Sequence, residues 1–270
     1  MKGMKFLLAL LAAALTISAA DNSLTKTEKS AGWKLLFDGK SMNGWSNSVG
    51  KPMMPGSDSW TIEDNSLKAK SKPTLTEDLF TKAKFTDFEL EWDWKIAPAG
   101  NSGIKYKIQD HLYLAGDRAR GKKFELIVDD FSKNKLTTRP TGRGQDYVIG
   151  FEYQMIDNKA NADALSASTH SAGALYDIAA PTKDMSKPIG EWNHSRLVVK
   201  GSHVEHWLNG EKVVDSSIAS DFVKPLLTKR WGQTPYVLTL LSDQPSKACP
   251  ISLQNHDSDT WFKNIKIRKV

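Results

Sequence analysis

From Gly32 onward, apolar and polar residues alternate in short runs broken by Gly, Asn, Asp and Pro. That is the period of half-buried β-strands. The alternation predicts strands at residues 33–37, 60–63, 66–69, 79–80, 88–96, 103–108, 124–128, 151–156, 173–176, 193–200, 203–208, 211–215, 250–254 and 260–268. Asn209-Gly210 between two of them is a hairpin signal, because both residues tolerate positive φ, and Asp64-Asn65 is a weaker one. Helices are scarce, with short ones expected at 161–167 and 216–227. So many short strands without an internal repeat predict one all-β domain over 32–270, an antiparallel two-sheet jelly-roll sandwich. The stretch 110–145 interrupts the rhythm and is rich in Lys, Arg, Gly and Thr. It reads as a long excursion over the rim, the kind of segment that often lines a site.

Within this pattern the run Gly150 to Asp157 is the most telling. Phe151, Tyr153 and Met155 share one face, while Glu152 and Gln154 share the other. A packed core explains the first set; water or a polar ligand explains the second. Two other strands offer compatible groups. In Asn101-Ser102-Gly103-Ile104-Lys105-Tyr106-Lys107, Ile104 and Tyr106 face the core and leave Lys105 and Lys107 opposite, where lysines are ordinarily solvated. In Ile251 to His256, apolar residues alternate with Ser252, Gln254 and His256, and an imidazole there can serve as general acid or base. Tyr176 is placed either to donate its phenol to a ligand oxygen or to pack at an edge. His203 and His206 point to opposite faces of a strand, which argues against paired zinc ligands. The sequences of zincins, zinc ribbons, α/β-hydrolases and P-loops are lacking. Asp157, Asp177 and Asp257 could assist a divalent ion, but their spacing does not require one. Trp92, Trp94, Trp192, Trp207, Trp261 and Phe262 read as core or rim anchors.

The N-terminus changes the cellular picture. Lys2 and Lys5 precede an apolar run from Phe6 to Ile17, and Ser18-Ala19-Ala20 supplies small residues for cleavage. Residues 1–20 therefore read as a signal peptide, too short for a membrane span of about 20 apolar residues. A polar, flexible segment is expected at 21–31. Loss of Lys2 and Lys5 lowers the formal charge from +6 to +4. The remaining cations are scattered, so nucleic acid is not an expected partner and no stable membrane anchor is implied. Cys249 is the one cysteine, read as a buried structural thiol. A chain exported without disulfides suits a periplasmic or secreted protein held by its core.

Taken in order, these pieces resemble the 3-keto-disaccharide hydrolase family. The matching segments include Leu35 and Phe37-Asp38-Gly39-Lys40 with Gly44-Trp45, Trp60-Thr61-Ile62, Asn101-Ser102-Gly103-Ile104 and Gly150-Phe151-Glu152-Tyr153-Gln154. Gly173-Ala174-Leu175-Tyr176, Gly190-Glu191-Trp192-Asn193, His206-Trp207-Leu208-Asn209-Gly210, Leu253-Gln254-Asn255-His256 and Phe262-Lys263-Asn264-Ile265 continue it to the C-terminus. Two departures stand out: a long 110–145 segment, and Pro250-Ile251-Ser252 where the family commonly has a glycine before Leu-Gln.

The resemblance implies a concanavalin A-like, laminin-G-like jelly roll and an enzyme acting on an oxidised disaccharide or glycoside. It implies Glu152 and His256 as the catalytic pair, with Glu152 the base and His256 the acid, or the converse. Asn101, Lys105, Gln154, Tyr176 and Gln254 would bind the sugar. The resemblance fixes no cofactor and leaves a divalent cation open. An ordinary glycosidase needs two carboxyl groups about 5–10 Å apart, and only Glu152 is evident. A non-catalytic carbohydrate-binding module of the cell envelope is the main alternative, and a structural or adhesion domain a third reading.

Overall fold

Trp60, Trp92, Trp94 and Phe262 from one sheet meet Tyr106, Phe151, Tyr153 and Leu253 from another, and the layer between them is the core. Trp92 sets its ring edge-on to Tyr153 at 4.9 Å. The computed structural model describes residues 20–53, 57–115, 142–243 and 247–270. The proposed signal peptide up to Ala19, and the strand expected at 124–128, lie outside them.

In chain order the first strands are β1 (Lys34–Leu35), β2 (Trp45–Ser46), β3 (Trp60–Glu63), β4 (Ser66–Ala69), β5 (Leu75–Thr76), β6 (Leu79–Thr81) and β7 (Phe88–Ile96). Then come β8 (Asn101–Ala115), β9 (Gly144–Ile156), β10 (Asn193–Lys200), β11 (His203–Leu208), β12 (Glu211–Ser217), β13 (Ser252–Leu253) and β14 (Thr260–Arg268). One sheet runs β12-β11-β10-β7-β14-β4-β3, with β1 added on β14; the other runs β2-β6-β13-β8-β9-β5. Among the described residues all strand pairings are antiparallel except β5 with β9. The fold is the expected two-sheet jelly-roll sandwich.

The hairpin signals hold: Asp64 and Asn65 turn β3 into β4, and Asn209 and Gly210 turn β11 into β12, all with positive φ. Elsewhere the sequence pattern needs correction. The segment 110–145 is not wholly an excursion, because its two ends continue β8 and β9 as one long hairpin, from Asp110 paired with Ile149 to Ala115 paired with Gly144. A bulge between Tyr106 and Asp110, with Lys107 at φ +50°, resets the alternation and hid this continuity. Residues 216 and 217 belong to β12, paired with Val204 and His203, so the expected helix starts later.

The described residues form four α-helices: α1 (Lys26–Ser30), α2 (Ala162–Ser166), α3 (Ser220–Trp231) and α4 (Pro235–Ser242). Segment 21–31, read as flexible, carries α1. Thr25 and Glu28 close a capping box, and Glu28 also grips Lys266 of β14. Helices α3 and α4 pack against each other, and α4 against β9, so this pair forms a wall beside the second sheet.

Candidate active site

Glu152 and Gln154 point away from the core side of β9, as Phe151, Tyr153 and Met155 fill it. In register, Lys105 of β8 lies opposite Glu152 and Gly103 opposite Gln154. Strand β13 continues the row, with Ser252 beside Lys105, and the chain then leaves the sheet as Gln254, whose N–H donates to Gly103 O at 2.9 Å. Three neighbouring strands thus deliver Glu152, Lys105 and Gln254 to one spot. Gly103 makes room for them. A Cβ there would lie 2.4 Å from Glu152 Oε1.

The contacts form one connected network. Lys105 Nζ lies 3.7 Å from Glu152 Oε2, donates to Val148 O at 3.2 Å and sits 4.9 Å from the centre of the Tyr147 ring. With both amides turned to satisfy their neighbours, Gln254 donates to Glu152 Oε1 at 3.2 Å and accepts from Lys105 Nζ at 3.3 Å. Gln154 then donates to Ser102 O at 3.0 Å and to Glu152 Oε1 at 3.3 Å. The Glu152 side chain keeps 14% of its surface open, and that of Lys105 keeps 5%. Removal from water lifts the Glu152 carboxyl above its ordinary range, against the pull of Lys105, His256 and Arg230. Burial works against the Lys105 ammonium too, but the carboxylates of Glu152 and Asp78 outweigh it and hold the ammonium above its usual range.

Across the cleft stands a wall that the strand pattern did not reveal. Residues 173–176 form no regular strand but run along β9, with Tyr176 N–H donating to Glu152 O at 3.1 Å. This brings Tyr176 to the cleft. Its hydroxyl donates to Asp163 at 3.0 Å, and its ring stacks on His170 at 4.3 Å. His170 bridges two carboxylates, Asp163 at 2.9 Å and Asp177 at 2.7 Å, and Asp177 also binds Arg230 from α3. Arg230 lies 5.3 Å from the Tyr176 ring centre. Burial raises the Tyr176 phenol well above its ordinary range, so it stays protonated.

All seven residues singled out from the sequence, Asn101, Lys105, Glu152, Gln154, Tyr176, Gln254 and His256, line this one cleft. His256 is exposed, while Asn101 is buried with its side-chain oxygen unpartnered among the described residues. Lys107, paired with Lys105 by the sequence pattern, is not in the lining, because the bulge turns it away. Nor is Lys105 solvated, as an isolated lysine on a strand would be; it is buried. Asp163, Asp177 and Arg230 also line the cleft, and the sequence reading gave none of them a sugar-binding or catalytic role. Arg230 is 53 positions from Asp177 and on a different element, so no local spacing announces the pair.

A match to the model of the 3-keto-α-glucoside-1,2-lyase-like domain spans residues 32–268. The chain belongs to this family. A 3-keto-disaccharide hydrolase of Bacteroides thetaiotaomicron is 29% identical over 267 residues, covering 94% of this chain and 84% of that protein. A crystal structure from Parabacteroides distasonis, provisionally described as a glycosyl hydrolase, superposes with a TM-score of 0.68 at 28% identity, covering 93% of this chain and 100% of that one. A second structure from the same organism, at 24% identity and a TM-score of 0.55, shares the fold.

The three carboxylates considered for a divalent ion do not fit one. Asp157 accepts from the backbone amides of Ala99, Lys159 and Ala160; Asp177 is held by His170 and Arg230; Asp257 accepts from Lys72 N–H. Each is engaged in a separate network, and of the three Asp177 alone lines the cleft. Cys249 is buried as expected, which raises its thiol above the usual range and keeps it protonated. His203 is exposed while His206 is fully buried, in keeping with opposite faces.

Proposed function

We propose that this protein is an exported carbohydrate-active enzyme that cleaves the glycosidic bond of 3-keto-glycosides or 3-keto-disaccharides, by elimination and then hydration. One observation carries the reading. Glu152 is a carboxylate with a raised proton affinity, held at the cleft by Lys105, Gln154 and Gln254. Family membership and the similarity to the Bacteroides hydrolase support it.

The chemistry follows from the substrate. A ketone at C3 acidifies the hydrogen on C2, and Glu152 takes that proton as general base. The electron pair moves into the C2–C3 bond, leaving negative charge on the C3 oxygen. The Lys105 ammonium and the Gln254 amide lie close enough to Glu152 to oppose that charge. Collapse of the enolate breaks the C1–oxygen bond, and His256 at the exposed edge gives its proton to the departing oxygen. Water then adds to C1 of the unsaturated ketone and C2 regains a proton, so the net reaction is hydrolysis. The unpartnered Asn101 oxygen is suited to accept from a sugar hydroxyl. Because the Tyr176 hydroxyl already donates to Asp163, its contribution is the oxygen lone pairs.

The test is incubation with 3-keto-trehalose and a 3-keto-glucoside, with detection of released sugar. Turnover that disappears in Glu152→Gln supports the reading. Tight glycan binding without product selects a binding module instead, and neither binding nor turnover discards both. Export predicts a mature chain that starts at Asp21 in the periplasm or medium; an unprocessed cytoplasmic chain refutes that part.

A further inference from the structure

Two strands across the same sheet from Lys105, one ionisable side chain takes no part in the steps above. Asp78 immediately precedes β6 and is 2% exposed. Its Oδ2 accepts from Ser252 Oγ at 3.0 Å and its Oδ1 from Asn255 N–H at 3.2 Å. These two bonds bracket Gln254. Asn255 is further pinned by its side-chain amide, which donates to Ser59 O at 3.0 Å and Lys70 O at 3.2 Å. Ser252 is also the residue paired with Lys105, so the Asp78 carboxylate reaches the Lys105 region from the side opposite Glu152.

We propose that Asp78 is a positioning residue of this site: its carboxylate fixes the segment that bears Gln254 and His256, and it competes with Glu152 for the charge of Lys105. The proposal rests on the reading of Glu152 as the base. The groups facing Asp78 are Lys105 from β8, Asp146 and Glu152 from β9, and the Ser252 and Asn255 donors. Lys105 favours the ionised form of Asp78, and the two carboxylates oppose it. Burial dominates and lifts Asp78 to about 7, so its charge changes near neutrality. An ionised Asp78 shares Lys105 and leaves Glu152 a stronger base. A neutral Asp78 gives Lys105 wholly to Glu152, which lowers the proton affinity of Glu152 and weakens it as a base.

Asp78→Asn keeps the shape and at least one acceptor while removing the charge. The expected result is a roughly tenfold fall in kcat with KM within about twofold, and an acid limb of kcat/KM displaced to lower pH. Ser252→Ala leaves the carboxylate but removes a donor that stabilises its ionised form. That variant should resemble Asp78→Asn near pH 7 and recover at higher pH, whereas Asp78→Asn should not recover. An unchanged acid limb in Asp78→Asn, or identical pH behaviour of the two variants, overturns the proposal. Carbon NMR titration of the labelled Glu152 carboxyl, identified by its loss in Glu152→Gln, needs no substrate. If no keto-glycoside is cleaved, the functional reading fails, and the titration still decides on Asp78. A lower Glu152 midpoint in Asp78→Asn supports the competition for Lys105, and an unmoved midpoint refutes it.

Discussion

Glu152 gains base strength from burial and loses some of it to Lys105, so single substitutions around it should shift rate and pH profile in opposite, readable ways. The sign follows from its role. A general base must be ionised, so kcat/KM should fall as pH drops through a midpoint above the ordinary 4.5 of a glutamate. Lys105→Met removes the largest opposing charge and should move that midpoint upward while slowing turnover. Glu152→Gln should lower kcat by about 10²–10⁴-fold, the usual contribution of general base catalysis. Gly103→Ala tests the same spot by shape alone, since the new methyl would meet Glu152 Oε1 and the Tyr153 carbonyl. Overpacking of this sort costs about 1–3 kcal/mol. Urea unfolding should show that loss, and activity should fall by more than the unfolded fraction accounts for. Wild-type turnover in Gly103→Ala would show that the carboxylate need not lie over β8.

The wall opposite Glu152 works as an element rather than as separate residues. His170 ties the two ends of the segment from Asp163 to Asp177, and Asp177 ties that segment to Arg230 of α3. Replacing Asp177 with Asn should therefore loosen Tyr176 and Arg230 together. KM for a keto-disaccharide should rise severalfold with a smaller change in kcat, measured by steady-state kinetics. An effect confined to kcat would place Asp177 in the chemistry instead. Nothing in the local pattern marks this wall, because it joins an irregular segment to a helix more than fifty positions away. Strands were another matter. The bounds of β3, β4, β7, β10 and β11 follow directly from apolar alternation, because each buries one face and ends at a turn or a change of period. The same logic placed Glu152, Gln154 and Gln254 together. It failed at Lys107, where one bulge shifts the phase, and at α4, whose short apolar run has no helical period long enough to separate it from a strand.

At the scale of the whole molecule, the two sheets are joined by polar bonds through an otherwise apolar core. Tyr106 of one sheet bonds His206 Nε2 of the other at 3.1 Å, and His206 Nδ1 donates to Gly173 O at 3.0 Å. Tyr153 reaches across in the same way to Ser195 Oγ at 2.9 Å, which also accepts from Trp94 Nε1 at 2.8 Å. His206 is fully buried, and burial lowers its pKa to about 4 from the ordinary 6.5. The native ring is therefore neutral where the unfolded chain takes up a proton. Its contribution to stability is complete above about 6.5 and declines as pH falls toward 4, by up to roughly 3 kcal/mol. His206→Phe abolishes that dependence and strands the Tyr106 hydroxyl, a loss of about 1–3 kcal/mol for an unsatisfied buried group. Urea unfolding should find the variant weaker than the parent at pH 7, with the gap narrowing or reversing near pH 4.5. A gap that stays constant between those values would mean that the buried imidazole does not govern the acid sensitivity of the sandwich.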